Sequence, residues 1–178
     1  MQVHENKALV GILMGSDSDL PVMEAAAEVL RQFGVPFEMA ILSAHRTPEQ
    51  AARYAANAAE RGLKVLIAGA GWAAHLAGVL ASKTALPVIG VPIDSSPLHG
   101  MDALLATVQM PPGIPVATMA VGKGGARNAA LFAVQILATA DPVLAHRLQE
   151  HKADMAQGVL QRNEKIDPAV RVRFQELD

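Results

Sequence analysis

The chain has no cysteine among its 178 residues, which removes disulfides, thiolate metal sites and cysteine nucleophiles from consideration. Charge is sparse as well: 18% of residues are charged, the formal net charge is -2, and no basic run occurs. The electrostatic footprint of a protein that grips a nucleic-acid backbone or an acidic membrane is therefore missing, whereas a small anionic metabolite held by a few local groups fits that balance. Long hydrophobic runs are lacking too. The polar start from Met1 to Lys7 is followed by only about eight apolar-rich residues, too short and wrongly flanked for a signal peptide or a membrane span. These absences lead us to expect a cytoplasmic protein with no nucleic-acid or membrane partner.

What the sequence does contain is 51% hydrophobic residues with frequent alanine, suited to helices packed closely against a sheet. The length fits one buried core, so the expectation is a single domain over 1–178, with an α/β core at 7–140 and a C-terminal helix at 141–166. Lys7 to Met14 is a continuous apolar run, as in a strand buried on both faces of a parallel sheet. Gly15 to Asp19 forms a turn, and Leu20 to Phe33 reads as a helix with Pro21 in its first turn and Gly34 past its end. The same grammar recurs. Strands are expected at Pro36–Ile41, Lys64–Ala68, Pro87–Val91 and Ile114–Val121. Helices are expected from Thr47, where the side chain suits a cap, to Gly62, and at Ala73–Lys83, Met101–Thr107 and Arg127–Ala138. Five strands alternating with helices predict a three-layer α/β/α, flavodoxin-like domain with a five-stranded parallel sheet and an extra C-terminal helix. The β-to-α loops then share the carboxyl edge of the sheet, where such sheets bind ligands.

Four of those loops carry polar, glycine-rich or histidine-bearing sequences. Gly15-Ser16-Asp17-Ser18-Asp19 combines a flexible turn, two hydroxyls and a helix N-terminus, which suits a phosphate. It has neither the lysine and spacing of a P-loop nor a GxGxxG pattern. The carboxylates would repel bare phosphate but accept from sugar hydroxyls, so the mixture suggests a ribose phosphate; the same residues also suit a plain helix cap. Leu42-Ser43-Ala44-His45-Arg46-Thr47-Pro48 sets an imidazole beside a fixed cation, and His75 lies in or beside the next loop. Imidazoles trade protons near neutral pH, so two of them on facing loops point to acid–base chemistry. A metal site built on Asp17, Asp19, His45 and His75 lacks any HxH or HExxH spacing. His4, His99, His146 and His151 are read as solvated or interface residues, Gly122-Lys123-Gly124-Gly125 as a turn open to backbone–ligand approach, and Trp72 as a pocket or contact residue.

At these residues the chain resembles the N5-carboxyaminoimidazole ribonucleotide mutases of de novo purine (IMP) synthesis, also described as the catalytic subunit of phosphoribosylaminoimidazole carboxylase. The matching pieces are Gly15-Ser-Asp-Ser-Asp19, Ser43-Ala-His-Arg-Thr-Pro48, Ala73-Ala-His-Leu76, Pro87-Val-Ile-Gly-Val-Pro92, Val108-Gln-Met-Pro111 with Gly113-Ile-Pro-Val-Ala117, and Asn128-Ala-Ala-Leu131. They run in the family's order from about Leu9 to Ala138. Trp72 stands where the family usually has glycine, and Ala77 where it has proline.

The resemblance implies an isomerase, a mutase that moves a carboxylate from the exocyclic nitrogen to ring carbon C4 by decarboxylation and recarboxylation, with no cofactor: neither metal, nucleotide nor biotin. It implies His45 as proton carrier, with His75 and the backbone after Gly71 holding the carboxylate or carbon dioxide. Arg46 would pair with the phosphate, helped by Ser18 and Ser43. Asp19 would accept from the ribose, Ser16 would line the same pocket, and Asp17, Ala73 and Leu76 complete the implied binding set. It also implies a small-molecule ribonucleotide substrate and a homo-octamer in which the helix at 141–166 packs on a neighbouring subunit. Two rivals remain: a carboxylase acting on aminoimidazole ribonucleotide with free carbon dioxide, and a non-catalytic ribonucleotide-binding module, since a fold alone does not give a function.

Overall fold

The structure, a computed structural model, describes residues 7–172. The chain forms two compact units that divide between Leu137 and Ala138. In the first unit five parallel strands lie in the order β2-β1-β3-β4-β5, with β1 at Val10–Met14, β2 at Phe37–Ile41, β3 at Val65–Gly71, β4 at Val88–Ile93 and β5 at Ala117–Thr118. They alternate with α1 (Leu20–Gln32), α2 (Pro48–Asn57), α3 (Leu76–Ala81), α4 (Met101–Val108) and α5 (Lys123–Ala138). This is the expected three-layer α/β/α fold, a five-stranded parallel sheet with helices on both sides. Among the described residues no helix is long and apolar enough to cross a membrane.

All five residues of β1 and all six of β4 are buried, which is why both read as unbroken apolar runs rather than alternating ones. On one face Leu13, Leu66 and Ala68 of the sheet pack with Ala51 and Ala55 of α2 and Leu76, Ala77 and Leu80 of α3. The alanines let the helix backbones approach the sheet closely. On the other face Met23 of α1 lies directly over Gly69, where any Cβ would overlap its sulfur. α5 reaches α1 through the Arg127–Glu28 pair at 3.5 Å, which is too exposed to add much stability. In the second unit α6 (Pro142–Asn163) starts as its sequence predicts: the Asp141 carboxylate accepts from the N–H groups of Val143 and Leu144, and Pro142 opens the helix.

Several boundaries differ from expectation: α2 ends at Asn57 rather than running to Gly62, β3 extends to Gly71 rather than stopping at Ala68, and three further differences have a tertiary reason. β5 is only two residues long because it pairs with β4 at just Ile89↔Ala117 and Gly90↔Thr118, and Pro115 just before it has no N–H for the ladder. α3 begins at Leu76 rather than Ala73, because Trp72 and Ala74 have φ of 54° and 45°, outside the right-handed helical region. The glycine run at Gly122 is not an open turn. α5 already starts at Lys123, and Gly125 packs so tightly on Ala120 that a Cβ would overlap the Ala120 carbonyl.

Away from the loop edge, Glu38 on β2 joins Tyr54 and Arg61. The Tyr54 hydroxyl donates to Glu38 at 2.6 Å, Arg61 pairs with the same oxygen at 2.7 Å, and the guanidinium lies 4.5 Å from the centre of the Tyr54 ring. Burial works to raise the Glu38 pKa, but hydrogen bonds from Arg61 and Tyr54, with the Arg61 charge, outweigh it and hold it below the usual carboxylate value. Burial and the Glu38 hydrogen bond push the Tyr54 phenol up, and Arg61 is raised chiefly by its bond to Glu38.

Two outcomes test this packing. Gly125→Ala should destabilise the fold by about 1–3 kcal/mol, as overpacking does; a melting temperature within a degree of wild type would refute the contact with Ala120. Because Glu38 has a depressed folded pKa, its contribution is complete above the unfolded carboxylate pKa and is lost as pH falls through the folded value. Thermal melts between neutral and acidic pH should therefore fall less steeply for Glu38→Gln than for wild type, and parallel curves would refute the coupling.

Candidate active site

β1 is paired on one side with β2 and on the other with β3, so the chain reverses direction across the sheet at β1. The loops that follow these three strands therefore emerge side by side at the carboxyl edge, where doubly wound sheets hold ligands. There they enclose a cleft of about 630 Å³. Its wall takes Ser16, Ser18 and Asp19 from the loop after β1, and Ser43, His45 and Arg46 from the loop after β2. The end of β3 and the turn beyond it supply Gly71, Trp72, Ala73, His75 and Leu76. Asp17 lines an adjoining recess of about 250 Å³ with Ser43, Arg46 and Thr47. All the site residues expected from the sequence thus come to one place.

The first loop settles how its serines and aspartates can serve as a cap. The Ser16 hydroxyl accepts from the Ser18 N–H, and the Asp19 carboxylate accepts from the Ser16 N–H at 3.1 Å, a reciprocal capping box on the single 3-10 turn Asp17–Asp19, whereas α1 itself has no side-chain cap. Asp19 is only 4% exposed. Its pKa is raised by burial, against the opposing pull of the Ser16 and Gly15 N–H groups and the Arg46 charge. The cap and the cleft wall are therefore the same residues, and one reading does not displace the other.

The second loop is held by Ser43. Its hydroxyl accepts from the N–H groups of His45 (3.3 Å) and Arg46 (3.1 Å) and from Arg46 Nε (3.4 Å). Thr47 does not cap α2. Its hydroxyl instead accepts from Ser43 N–H at 2.9 Å and donates to the Ser43 carbonyl at 3.1 Å, clamping the loop shut. The Arg46 guanidinium then reaches across to the Gly15 carbonyl at 3.0 Å. This places a fixed cation at the seam between two loops rich in hydroxyls and N–H donors, an arrangement suited to a phosphate.

The third loop brings His75 to His45. Nε2 of His45 lies 2.7 Å from Nδ1 of His75, with the rings edge to face at 79°. For two ring nitrogens this close to hydrogen-bond, one must donate and the other accept. The tautomers are therefore linked, and whichever ring donates fixes the other as acceptor. Trp72, the only tryptophan of the chain, stands 60% exposed on the cleft wall with a left-handed backbone. That conformation costs an L-residue on the order of 1 kcal/mol, and it is the reason glycine suits this position.

The cleft also contains a residue the sequence reading passed over. Ser95, in the loop after β4, lines the wall beside Gly71. The other histidines stand elsewhere: His99 and the α6 residues His146 and His151 do not line the cleft, His146 pairs with Glu150 at 3.4 Å, and His4 lies outside the described residues. The Gly122–Gly125 run does not line it either.

The chain is similar to known proteins over most of its length. The family model described as AIR carboxylase matches residues 9–158. The N5-carboxyaminoimidazole ribonucleotide mutase of Pyrococcus horikoshii is 54% identical over 167 residues, 94% of this chain and 93% of that protein. The mutase of the same name from Bacillus subtilis is 53% identical over 158 residues, covering 89% of this chain and 98% of its own. Among solved structures, Treponema denticola PurE superposes with a TM-score of 0.80 at 30% identity, covering 90% of this chain and 99% of that one.

Trp72 gives a direct readout of occupancy. Its fluorescence should change saturably on titration with ribose 5-phosphate, and Arg46→Ala should weaken that binding at least about tenfold, the usual loss for a charge-assisted hydrogen bond. An Arg46→Ala protein that titrates like wild type would remove Arg46 from anion binding.

Proposed function

The chain belongs to the AIR carboxylase family, and from that footing we propose that it is an N5-carboxyaminoimidazole ribonucleotide mutase. It converts N5-carboxyaminoimidazole ribonucleotide to 4-carboxyaminoimidazole ribonucleotide in purine biosynthesis. The single observation that carries the assignment to this site is the His45–His75 contact, at 2.7 Å on the wall of the cleft that also holds Arg46. Relatives that share more than half their residues over nearly the whole chain carry the mutase name, and others as similar carry the name phosphoribosylaminoimidazole carboxylase.

Each half of the reaction needs one proton, moving in opposite directions. As the bond between N5 and the carboxyl carbon breaks, N5 takes a proton and carbon dioxide is released inside the cleft. C4 then attacks that carbon dioxide, and the proton on C4 has to leave. A single imidazole that donates first and accepts second returns to its starting state, with no oxidant, reductant or second substrate. His45 fills that role. The proton shared with His75 is the one at hand, and His75 with the backbone after Gly71 faces the migrating carboxyl group. Arg46, Ser43 and Ser18 hold the phosphate, Asp19 accepts from ribose hydroxyls, Ser16, Ala73 and Leu76 shape the remaining wall, and Asp17 shapes the adjoining recess. Remote contacts of this kind hold the substrate in register while its reacting end changes partner.

The reading includes a homo-octamer, as the resemblance to the mutases implies. Val143, Met155 and Val159 of α6, each more than half exposed, support the packing of this helix on a neighbouring subunit. A cytoplasmic location fits the substrate. The second reading, a carboxylase using free carbon dioxide, is favoured by the description of the family model itself.

Purified protein incubated with the carboxyamino ribonucleotide, without ATP or added metal, should yield 4-carboxyaminoimidazole ribonucleotide. Turnover of aminoimidazole ribonucleotide with bicarbonate, but none of the carboxyamino compound, would select the carboxylase instead. His45→Asn should keep nucleotide binding and lose at least about 100-fold in transfer rate, the lower end for general acid–base catalysis; a variant retaining most activity would end the assignment.

A further inference from the structure

The loop after β4 brings a hydroxyl to the cleft that no matched motif accounts for. β3 and β4 pair in parallel with Gly71 opposite Ile93, so Ser95, two residues on, stands at the edge of the sheet beside the end of β3. Gly71 is shaped to admit it: a Cβ at position 71 would overlap the Ser95 hydroxyl oxygen and crowd the Ile93 carbonyl at 3.2 Å. The glycine at 71 therefore makes room for a neighbouring side chain, beyond any role of its own backbone.

The serines of the cleft differ in what they are free to do. Ser16 donates to Asp17 at 3.0 Å and accepts from Ser18 N–H, and Ser43 accepts from His45 and Arg46. The hydroxyls of Ser18 and Ser95 make no hydrogen bond to any described residue, and of these two exposed cleft serines only Ser95 stands against Gly71 at the end of β3. It also comes from the far side of β3, across that strand from Arg46, on the flank where the turn bearing His75 emerges.

We propose that Ser95 is a substrate-contacting residue that holds the migrating carboxyl group and retains carbon dioxide between the two halves of the transfer. This rests on the mutase reading above. The group passes from carboxylate to a neutral molecule and back to carboxylate. A site that gripped it by charge alone would hold both ends of the reaction and lose the middle. A neutral hydroxyl can donate to an oxygen of each of the three forms in turn. It makes and breaks no covalent bond and leaves the proton balance with His45. An uncharged donor also adds no competing proton source beside the histidine pair.

The test follows the label on the migrating carbon. Wild-type protein is given substrate carrying carbon-13 in the carboxyl group, in the presence of excess unlabelled bicarbonate, and the label retained in the C4 product is measured with the aminoimidazole ribonucleotide set free. Ser95→Ala should release at least about twofold more of the decarboxylated ribonucleotide per product formed, in line with the loss of one hydrogen bond between neutral groups. The retained label should fall with it. Titration with ribose 5-phosphate, followed by Trp72 fluorescence, should stay within twofold of wild type. Unchanged label retention and rate in Ser95→Ala overturn the proposal. If that variant fails to bind ribose 5-phosphate, Ser95→Thr decides: retained label with the hydroxyl restored supports the role, and lost label overturns it. A wild-type protein that makes no C4 product would instead bring down the mutase reading, a result distinct from either.

Discussion

Pairing of β1 with β2 on one side and β3 on the other is the constraint on which everything in the site depends. Because both ladders are parallel and in register over the whole of β1, the carboxyl ends of three strands lie level. The turn at Gly15, the Ser43–Thr47 loop and the turn at Trp72 must then share one edge. The burial of β1 on both faces by apolar side chains makes this register costly to shift. No feature of the individual loops would bring a histidine from one to a histidine of another.

On that edge the charges are distributed by tethering more than by proximity. Arg46 is tied to the Gly15 carbonyl and Ser43, leaving a positive group fixed between two loops. Asp19 is buried and bonded to the backbone of its own turn, so it shapes the first loop while facing the cleft. His45, next to Arg46 in the chain, instead meets a ring nitrogen of His75 from the third loop. The cation and this histidine thus come from adjacent positions of one loop, each tied to a different neighbouring loop.

The sequence made the alternation of strands and helices readable because each strand is apolar and each loop polar, a contrast that survives without any tertiary knowledge. The site loops were readable for the same reason: His45, Arg46 and the Ser–Asp turn carry their chemistry locally. Distances were not readable. That His45 touches His75, and that Arg46 reaches Gly15, follows from the strand order, which no local pattern states. The glycines at 122–125 misled because a run of glycine looks like a turn, whereas here Gly125 answers to the Ala120 carbonyl inside a helix start. Ser95 went unnoticed because a serine in a loop rich in serine and proline looks like ordinary turn chemistry, and its place beside Gly71 is a product of the β3–β4 register.

The two contacts that define the cleft, His45 to His75 and Arg46 to Gly15, join residues 30 and 31 positions apart, each about one strand–helix repeat of the fold. Closing a free loop of that length costs on the order of 3 kcal/mol in chain entropy, more than one such hydrogen bond returns. Neither contact can therefore precede the sheet. A nascent or partly unfolded chain whose helices have formed but whose strands are unpaired would carry every side chain of the cleft and yet no cleft, so the site exists only when the fold is complete.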